Sequence, residues 1–569
     1  MSVRRVGLAG FGLVASLDLV ATWLLTPLLR LVTTFLLAQA AIPFVSVDNV
    51  VTLLTTHPLI VCALLVEVCV VLALLGLQVL VAFSGLRLLV AGRFSFAGWL
   101  ATCRQQVVNL GWRGALAWVP LLIVAMPIAT LLFRTPLLVN IKADAFILDY
   151  LTRRPSLMIG GVLVYAACLF IVVRWLSWGR VKRALGLALW WGAWSWLVNG
   201  LVVLINHGNA PTWLAISGLL IAQVAAELAL SATALGLVAT PQKTAGYHQW
   251  RPWWLLILVV FVFAAMPSDW TYLTTKLAAP LTVAHRGVDG QNGVPNSIAV
   301  LKKTHRAAHP DFVEMDVHET ADHQFVVVHD ENLKQLTGVD KAPHQLTLKQ
   351  LTKLVAKQDG YRAKLVSFDD YLAAAEQNHQ RLIVELKATP HDSKGLLARF
   401  NQRYGARLIK DGDMVHSLDY AYVAKLHRLN PKLTVLYCMA YNFTNPAREA
   451  DGVTAEYSTL NHRFIDAAHQ GNQLVMAWTV NNAGAMKQAL FDHADGVITD
   501  RVSTLNKVIK EVRTNDTLES RLVNYFNPLP NLERRGNGSE LALTKQPLTD
   551  GLPLVRGCLI TEGLDRINV

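Results

Sequence analysis

Residues 281–287 read Leu-Thr-Val-Ala-His-Arg-Gly, and residues 312–317 read Phe-Val-Glu-Met-Asp-Val. Each is a short β-rich run that ends in chemically capable side chains, and each is followed by a stretch of helical pattern. Further runs of this kind lie at 325–329, 382–387, 414–418, 433–438, 452–457, 474–480 and 496–499, with amphipathic stretches such as 346–356 and 368–377 between them. Strands alternating with helices over about 230 residues predict an eight-stranded α/β barrel. Nine runs is one too many, so 325–329 is expected to fold back on the preceding strand as a hairpin. A doubly wound sheet would need a glycine-rich phosphate turn after its first strand, and His285-Arg-Gly-Val-Asp-Gly290 is not one.

Upstream of this segment the chain changes character. Residues 1–276 hold 18 Lys and Arg against 7 Asp and Glu, and residues 277–569 hold 34 against 33. Fifteen of the 16 Trp lie at or before Trp270. This contrast predicts a membrane half followed by a water-exposed half. The excess positive charge sits between apolar runs and not beside aromatics in the second half, which excludes nucleic acid as a partner. None of the six cysteines makes a Cys-x-x-Cys pair, so they are read as packing residues.

A helix needs about 20 apolar residues to cross a bilayer. Seven candidates meet this, at 17–42, 57–83, 114–133, 156–175, 184–206, 213–240 and 252–270. The stretch 84–111, broken by Arg87, Arg93 and Arg104, is expected to lie along the surface, and Arg4 and Arg5 before the first run suggest an uncleaved signal anchor. Segments 43–56 and 207–212 hold no Lys or Arg, whereas the alternate ones are basic, with 134–155 dissenting. The bias puts the amino terminus inside and the second half outside a multi-pass plasma-membrane protein. Asp18, Arg30, Glu67 and Glu227 fall in or near spans and are expected to pair between helices. The domains are therefore 1–276, an α-helical transmembrane bundle; 277–510, the barrel; and 511–569, a charged, partly disordered tail.

The chemistry sits at strand ends, which converge on one face of such a barrel. Glu314 and Asp316 are two apart on one strand and share a face, and Glu385 on a neighbouring strand can add a third carboxylate. Three carboxylates suit one hard divalent ion, Mg²⁺ or Ca²⁺. Arg286 and Lys387 suit phosphate oxygens. His285 and His329 can serve as base and acid around a phosphorus centre. His285 adjoins Arg286 and is expected to be the base, which leaves His329 as the acid. Trp478, the one Trp in the second half, is either a wall for the substrate or barrel packing. His318 and the other nearby histidines are expected on the surface.

In this order and spacing, His285-Arg-Gly287, Glu314-x-Asp316, Val328-His-Asp330, Glu385-x-Lys387, Trp478-Thr-Val-Asn481 and Asp495-Gly-x-Ile-Thr-Asp500 resemble the glycerophosphodiester phosphodiesterase family over 281–505. The first half resembles the multi-span domain joined to this barrel in some Gram-positive bacterial members. The resemblance implies a TIM-barrel enzyme hydrolysing glycerophosphodiesters to sn-glycerol 3-phosphate and an alcohol. It implies Glu314, Asp316 and Glu385 as metal ligands, His285 and His329 as the acid–base pair, and Arg286 and Lys387 on the phosphate. The substrate is then a glycerophosphodiester or lipid-derived molecule met near membrane lipids. One departure is plain: where the family has Pro-Glu-Asn-Thr, this chain reads Pro295-Asn-Ser297, without the acid. Two alternatives stand beside this reading, a lysophospholipase D-like or cyclising enzyme acting on lipids and a silent glycerophosphate-binding receptor.

Overall fold

The computed structural model describes residues 3–39, 54, 56–91, 93–133, 135, 155–176, 178–208, 210–238, 253–439 and 450–527. In the first half, long apolar helices follow one another. They are α1 (3–38, with a π turn at Ala21–Leu25), α2 (Pro58–Val90), α3 (Phe96–Leu132), α4 (Pro155–Leu176), α5 (Trp178–Ile205), α6 (Thr212–Val238) and α7 (Trp253–Thr274). Among the described residues, four stretches are long and apolar enough to cross a membrane: Gly10–Leu37, Met158–Trp175, Trp178–Ile205 and Thr212–Leu237. Their outer faces expose side chains such as Leu163, Phe170, Trp190 and Leu204. Water penalises such surfaces and lipid does not.

The stretch 84–111 does not lie along a surface by itself. It is split between the end of α2 and the start of α3, and those helices pack together. The Ser84 hydroxyl donates to Gln106 Oε1 at 2.6 Å, and Trp99 Nε1 donates to the Val81 carbonyl at 3.1 Å. Arg87, Arg93 and Arg104 are on exposed faces while Leu86, Leu89 and Cys103 are buried, so the arginines mark solvent-side faces rather than a break in the helices. Of the charged residues in spans, Glu67 accepts from Thr33 Oγ1 at 2.7 Å, and Glu227 is fully buried.

The second half opens with β1 (Leu281–Ala284), α8 (Ile298–Ala308) and β2 (Phe312–Glu319), then β3 (Phe325–Val327). A hairpin of β4 (Val355–Gln358) and β5 (Tyr361–Lys364) and the short β6 (Val366–Ser367) precede α9 (Phe368–Gln377). There follow β7 (Arg381–Leu386), α10 (396–411), β8 (Met414–Ser417), α11 (Tyr420–Leu429), β9 (Thr434–Met439), β10 (Gly452–Glu456) and α12 (His462–Gln470). The chain continues through β11 (Leu474–Trp478), α13 (Ala483–Phe491), β12 (Gly496–Thr499), α14 (Val502–Thr514) and α15 (Leu518–Phe526). Eight parallel strands run in the order β1-β12-β11-β10-β9-β8-β7-β2, and β2 pairs back onto β1 to close the barrel. The surplus run is β3, antiparallel to β2 with Val317 opposite Val327.

The strands read as near-continuous apolar runs because helices cover one side and the barrel interior the other; β2 is buried along its whole length. Period-two alternation stacks the interior in layers. Val283, Phe312, Ile383, Leu436, Met476 and Ile498 form an apolar plug. Two residues further along several of these strands come His285, Glu314, Glu385 and Cys438. Polar layer on apolar plug sets the depth of the site.

The boundary expected at 510 falls inside α14, and α15 follows it immediately. Arg521, Leu522 and Phe526 of α15 are buried. The Arg521 guanidinium donates to the carbonyls of Tyr272, Leu273 and Thr275 at 3.0, 3.2 and 2.8 Å, and bonds Asp516. Tyr272 Oη in turn donates to the Arg521 carbonyl at 3.1 Å, and Gln223 Nε2 to Tyr525 Oη at 3.0 Å. So α15 joins the barrel to α6 and α7. Of the tail expected at 511–569, residues 528–569 lie outside the described residues.

Candidate active site

The turn after β1 builds the first wall. Arg286 and Gly287 have φ of 51° and 75°, a left-handed pair that glycine adopts freely and arginine at a cost. The bend aims the Arg286 backbone N–H at Glu314 Oε2, 2.9 Å away. The same loop reaches Asn296, whose side chain donates to Asp316 Oδ2 at 2.8 Å and accepts from the Asp316 N–H at 3.2 Å. Ser297 caps α8 through the Val300 N–H. Val294 anchors this loop in a small core with Val326, Val328 and Leu351. Next to Pro295, in the segment that lacks the expected acid, an amide thus holds Asp316 in two directions.

The expected residues converge on the open end of the barrel. Lys387 Nζ lies 2.9 Å from Asp316 Oδ1 and 2.7 Å from Glu385 Oε1, and Arg286 Nε lies 3.5 Å from Asp316 Oδ2. Arg286 and Lys387 hold the Asp316 carboxyl well below the usual range despite its burial, with His329 adding to the effect. Burial pushes Glu385 up, Lys387 opposing. His285 Nδ1 is 2.7 Å from Asp500 Oδ1, and Asn481 Nδ2 donates to Asp500 Oδ2 at 2.5 Å. Burial disfavours a charged His285, yet Asp500, helped by Glu314, raises its pKa above the ordinary value. His329 goes the other way: burial, Arg286 and Lys387 hold it well below. The two rings are thus pushed in opposite directions, His285 toward its protonated form and His329 toward its neutral one.

Three residues that sequence reasoning passed over belong here. Asp500 and Asn481 stood in the quoted motifs without a role. His416 left only a faint signal, an inward parity with Met414 on β8; it is buried, with Nε2 3.7 Å from Glu314 Oε1 and 3.9 Å from Glu385 Oε2. His318, expected on the surface, is also buried. Its Nε2 donates to the His329 carbonyl at 3.1 Å, and burial drops its pKa to about 4. Trp478 stands half-buried against the apolar plug, its Nε1 donating to the Thr454 carbonyl at 3.0 Å.

The carboxylates Glu314, Asp316, Glu385 and Asp500 face two permanent cations, Arg286 and Lys387. Among the described residues, Glu314, Glu385 and His416 form a group of three whose ligand atoms all lie within 4.8 Å of one another. Glu314 Oε1 and His416 Nε2 are buried without hydrogen-bond partners, as donors awaiting an ion would be. The site fits a divalent metal. Asp316, the third carboxylate expected from sequence, contacts Lys387, Asn296 and Arg286, and His416 stands beside Glu314 and Glu385.

Comparison with known proteins gives two family matches. Residues 8–178 match the membrane domain of glycerophosphoryl diester phosphodiesterase, and residues 285–504 match the glycerophosphoryl diester phosphodiesterase family. A glycerophosphodiester phosphodiesterase of Bacillus altitudinis is 26% identical over 249 residues, which are 40% of this chain and 98% of that protein. Among solved structures, a glycerophosphodiester phosphodiesterase of Parabacteroides distasonis is 23% identical, covering 42% of this chain and 100% of its own, with a TM-score of 0.37. A phosphodiesterase of Oleispira antarctica in complex with the product sn-glycerol-3-phosphate is 19% identical, covering 41% and 97%, with a TM-score of 0.35.

Proposed function

The chain belongs to the glycerophosphodiester phosphodiesterase family, with that family's membrane domain ahead of the barrel, and on this premise we propose that it hydrolyses glycerophosphodiesters to sn-glycerol 3-phosphate and an alcohol at the outer face of a membrane. The observation that carries the proposal is the gathering of His285, Arg286, Glu314, Asp316, His329, Glu385 and Lys387 at one end of the barrel.

Arg286 and Lys387 offer charge-assisted donors to the phosphate oxygens, and Asn296 and Asp316 hold both cations in place. Glu314 and Glu385 would hold the divalent ion, which when bound supplies positive charge against the phosphoryl oxygens. His329, kept neutral between Arg286 and Lys387, accepts the proton of the attacking hydroxyl or water. His285, kept protonated by Asp500, gives its proton to the leaving alkoxide. Asn481 fixes Asp500 and so fixes which ring edge of His285 faces substrate.

The test is hydrolysis of glycerophosphocholine by the full chain in detergent, with and without EDTA. Activity is expected to vanish with the chelator and return with a divalent ion, glycerol 3-phosphate being the product. Undiminished turnover in EDTA overturns the metal-dependent reading. Release of phosphocholine in place of choline overturns the bond assignment.

A further inference from the structure

Beside Glu314 and Glu385 stands a nitrogen donor, His416 Nε2, and its chemistry bears on which ion the group would take. His416 stands opposite Glu385 in the pairing of β8 with β7, while Glu314 reaches the same point from β2. The exposure of all three residues is under a tenth, so bulk water competes poorly for them. Distances of 3.7 and 3.9 Å from His416 Nε2 to the two carboxylates are too long for hydrogen bonds. They are short enough for shared ligation, since donors about 2.0–2.2 Å from one ion stand at most about 4.4 Å apart. On the far side of the ring, Nδ1 lies 3.1 Å from Thr454 Oγ1. With Nε2 bound to an ion, Nδ1 carries the proton and donates to that hydroxyl, the usual way a ligating histidine is oriented.

From these contacts we infer that His416 is a direct metal ligand beside Glu314 and Glu385, and that the site prefers a first-row transition ion such as Mn²⁺ or Zn²⁺ to Ca²⁺. Oxygen-only sets suit Mg²⁺ and Ca²⁺, whereas an imidazole adds affinity for transition ions and little for Ca²⁺. The inference rests on the metal-dependent reading above and replaces the Mg²⁺ or Ca²⁺ expected from three carboxylates.

The experiment uses the full chain in detergent, stripped by chelator and loaded with one equivalent of Mn²⁺. Pulsed electron paramagnetic resonance is expected to show ¹⁴N coupling from a bound imidazole, and His416→Ala and the bulkier His416→Gln are expected to abolish it. Competition with a chelating dye is expected to show Mn²⁺ bound at least about tenfold more weakly in His416→Ala, with Ca²⁺ changed far less. A wild-type spectrum without ¹⁴N coupling overturns the inference and needs no variant to fold. Coupling that survives in both variants also overturns it, moving the ligand to His285, whose Nε2 is 4.0 Å from Glu314 Oε2. An ion bound through oxygens alone sinks this inference and spares the enzyme reading. No ion bound at all, with hydrolysis persisting in EDTA, sinks both.

Discussion

Asp500 matters at the residue scale because it lies outside the expected metal set and still bonds directly to His285, the ring proposed as the acid. Its carboxylate holds His285 Nδ1 at 2.7 Å and raises the imidazole pKa against the cost of burial. A leaving-group acid works only while protonated, so activity falls as pH rises through the His285 pKa. Asp500→Asn lowers that pKa, and the alkaline limb of kcat/KM is expected to move to lower pH while the acidic limb, set by His329, stays. An unmoved alkaline limb would take His285 out of the acid's role. His285→Ala and His329→Ala should each cost about 10²–10⁴-fold. With a p-nitrophenyl leaving group, which hardly needs a proton, His285→Ala should be partly rescued and His329→Ala should not; the opposite pattern restores the order first read from sequence. Residue identities were legible where chemistry recurs in fixed motifs, as in His285-Arg-Gly287 and Glu385-x-Lys387. They were not legible for Asn296 and His416, because neither an amide nor a lone histidine announces its partners until strands from distant sequence meet.

At the scale of elements, strands were easier to read than helix ends. Buried parallel strands give dense apolar runs, and counting nine of them was enough to single out β3 as a hairpin arm. The 84–111 stretch misled because arginines on one exposed face look like interruptions in a hydropathy window, while the buried face of the same helices carries Ser84, Leu86 and Cys103. The helix α15 was missed although Leu518, Leu522, Tyr525 and Phe526 recur at helical spacing, because it was read together with the polar tail behind it and its burial depends on a docking partner nearly 250 positions away. Its pivot is Arg521, which satisfies carbonyls at the end of α7 where no further turn exists to do so. Arg521→Ala should destabilise the docking by about 3 kcal/mol, the scale for breaking a buried charged contact. Thermal unfolding in detergent and proteolysis within 275–280 would register it. A variant with wild-type melting and no new cleavage would mean that the contact is decorative.

Over the whole molecule, the charge contrast between 1–276 and 277–569 reveals a membrane part and a hydrophilic part, but side assignment depends on counting spans, and one more or fewer inverts it. Labelling of intact cells with an impermeant thiol reagent, in a background free of native cysteines, settles the matter. Cysteine at exposed Asn515 is expected to react and cysteine at Lys243 to stay protected; the reverse result puts the barrel in the cytoplasm. On either side, the joint between α7 and β1 spans only residues 275–280, and α15 fastens the far end of the barrel to those same helices. A body hung from one short cord can swing and turn; a second fastening beside the first narrows that freedom. The docking of α15 on α6 and α7 therefore restrains the barrel against those helices, and a label on the barrel should rotate little faster than the micelle that carries it.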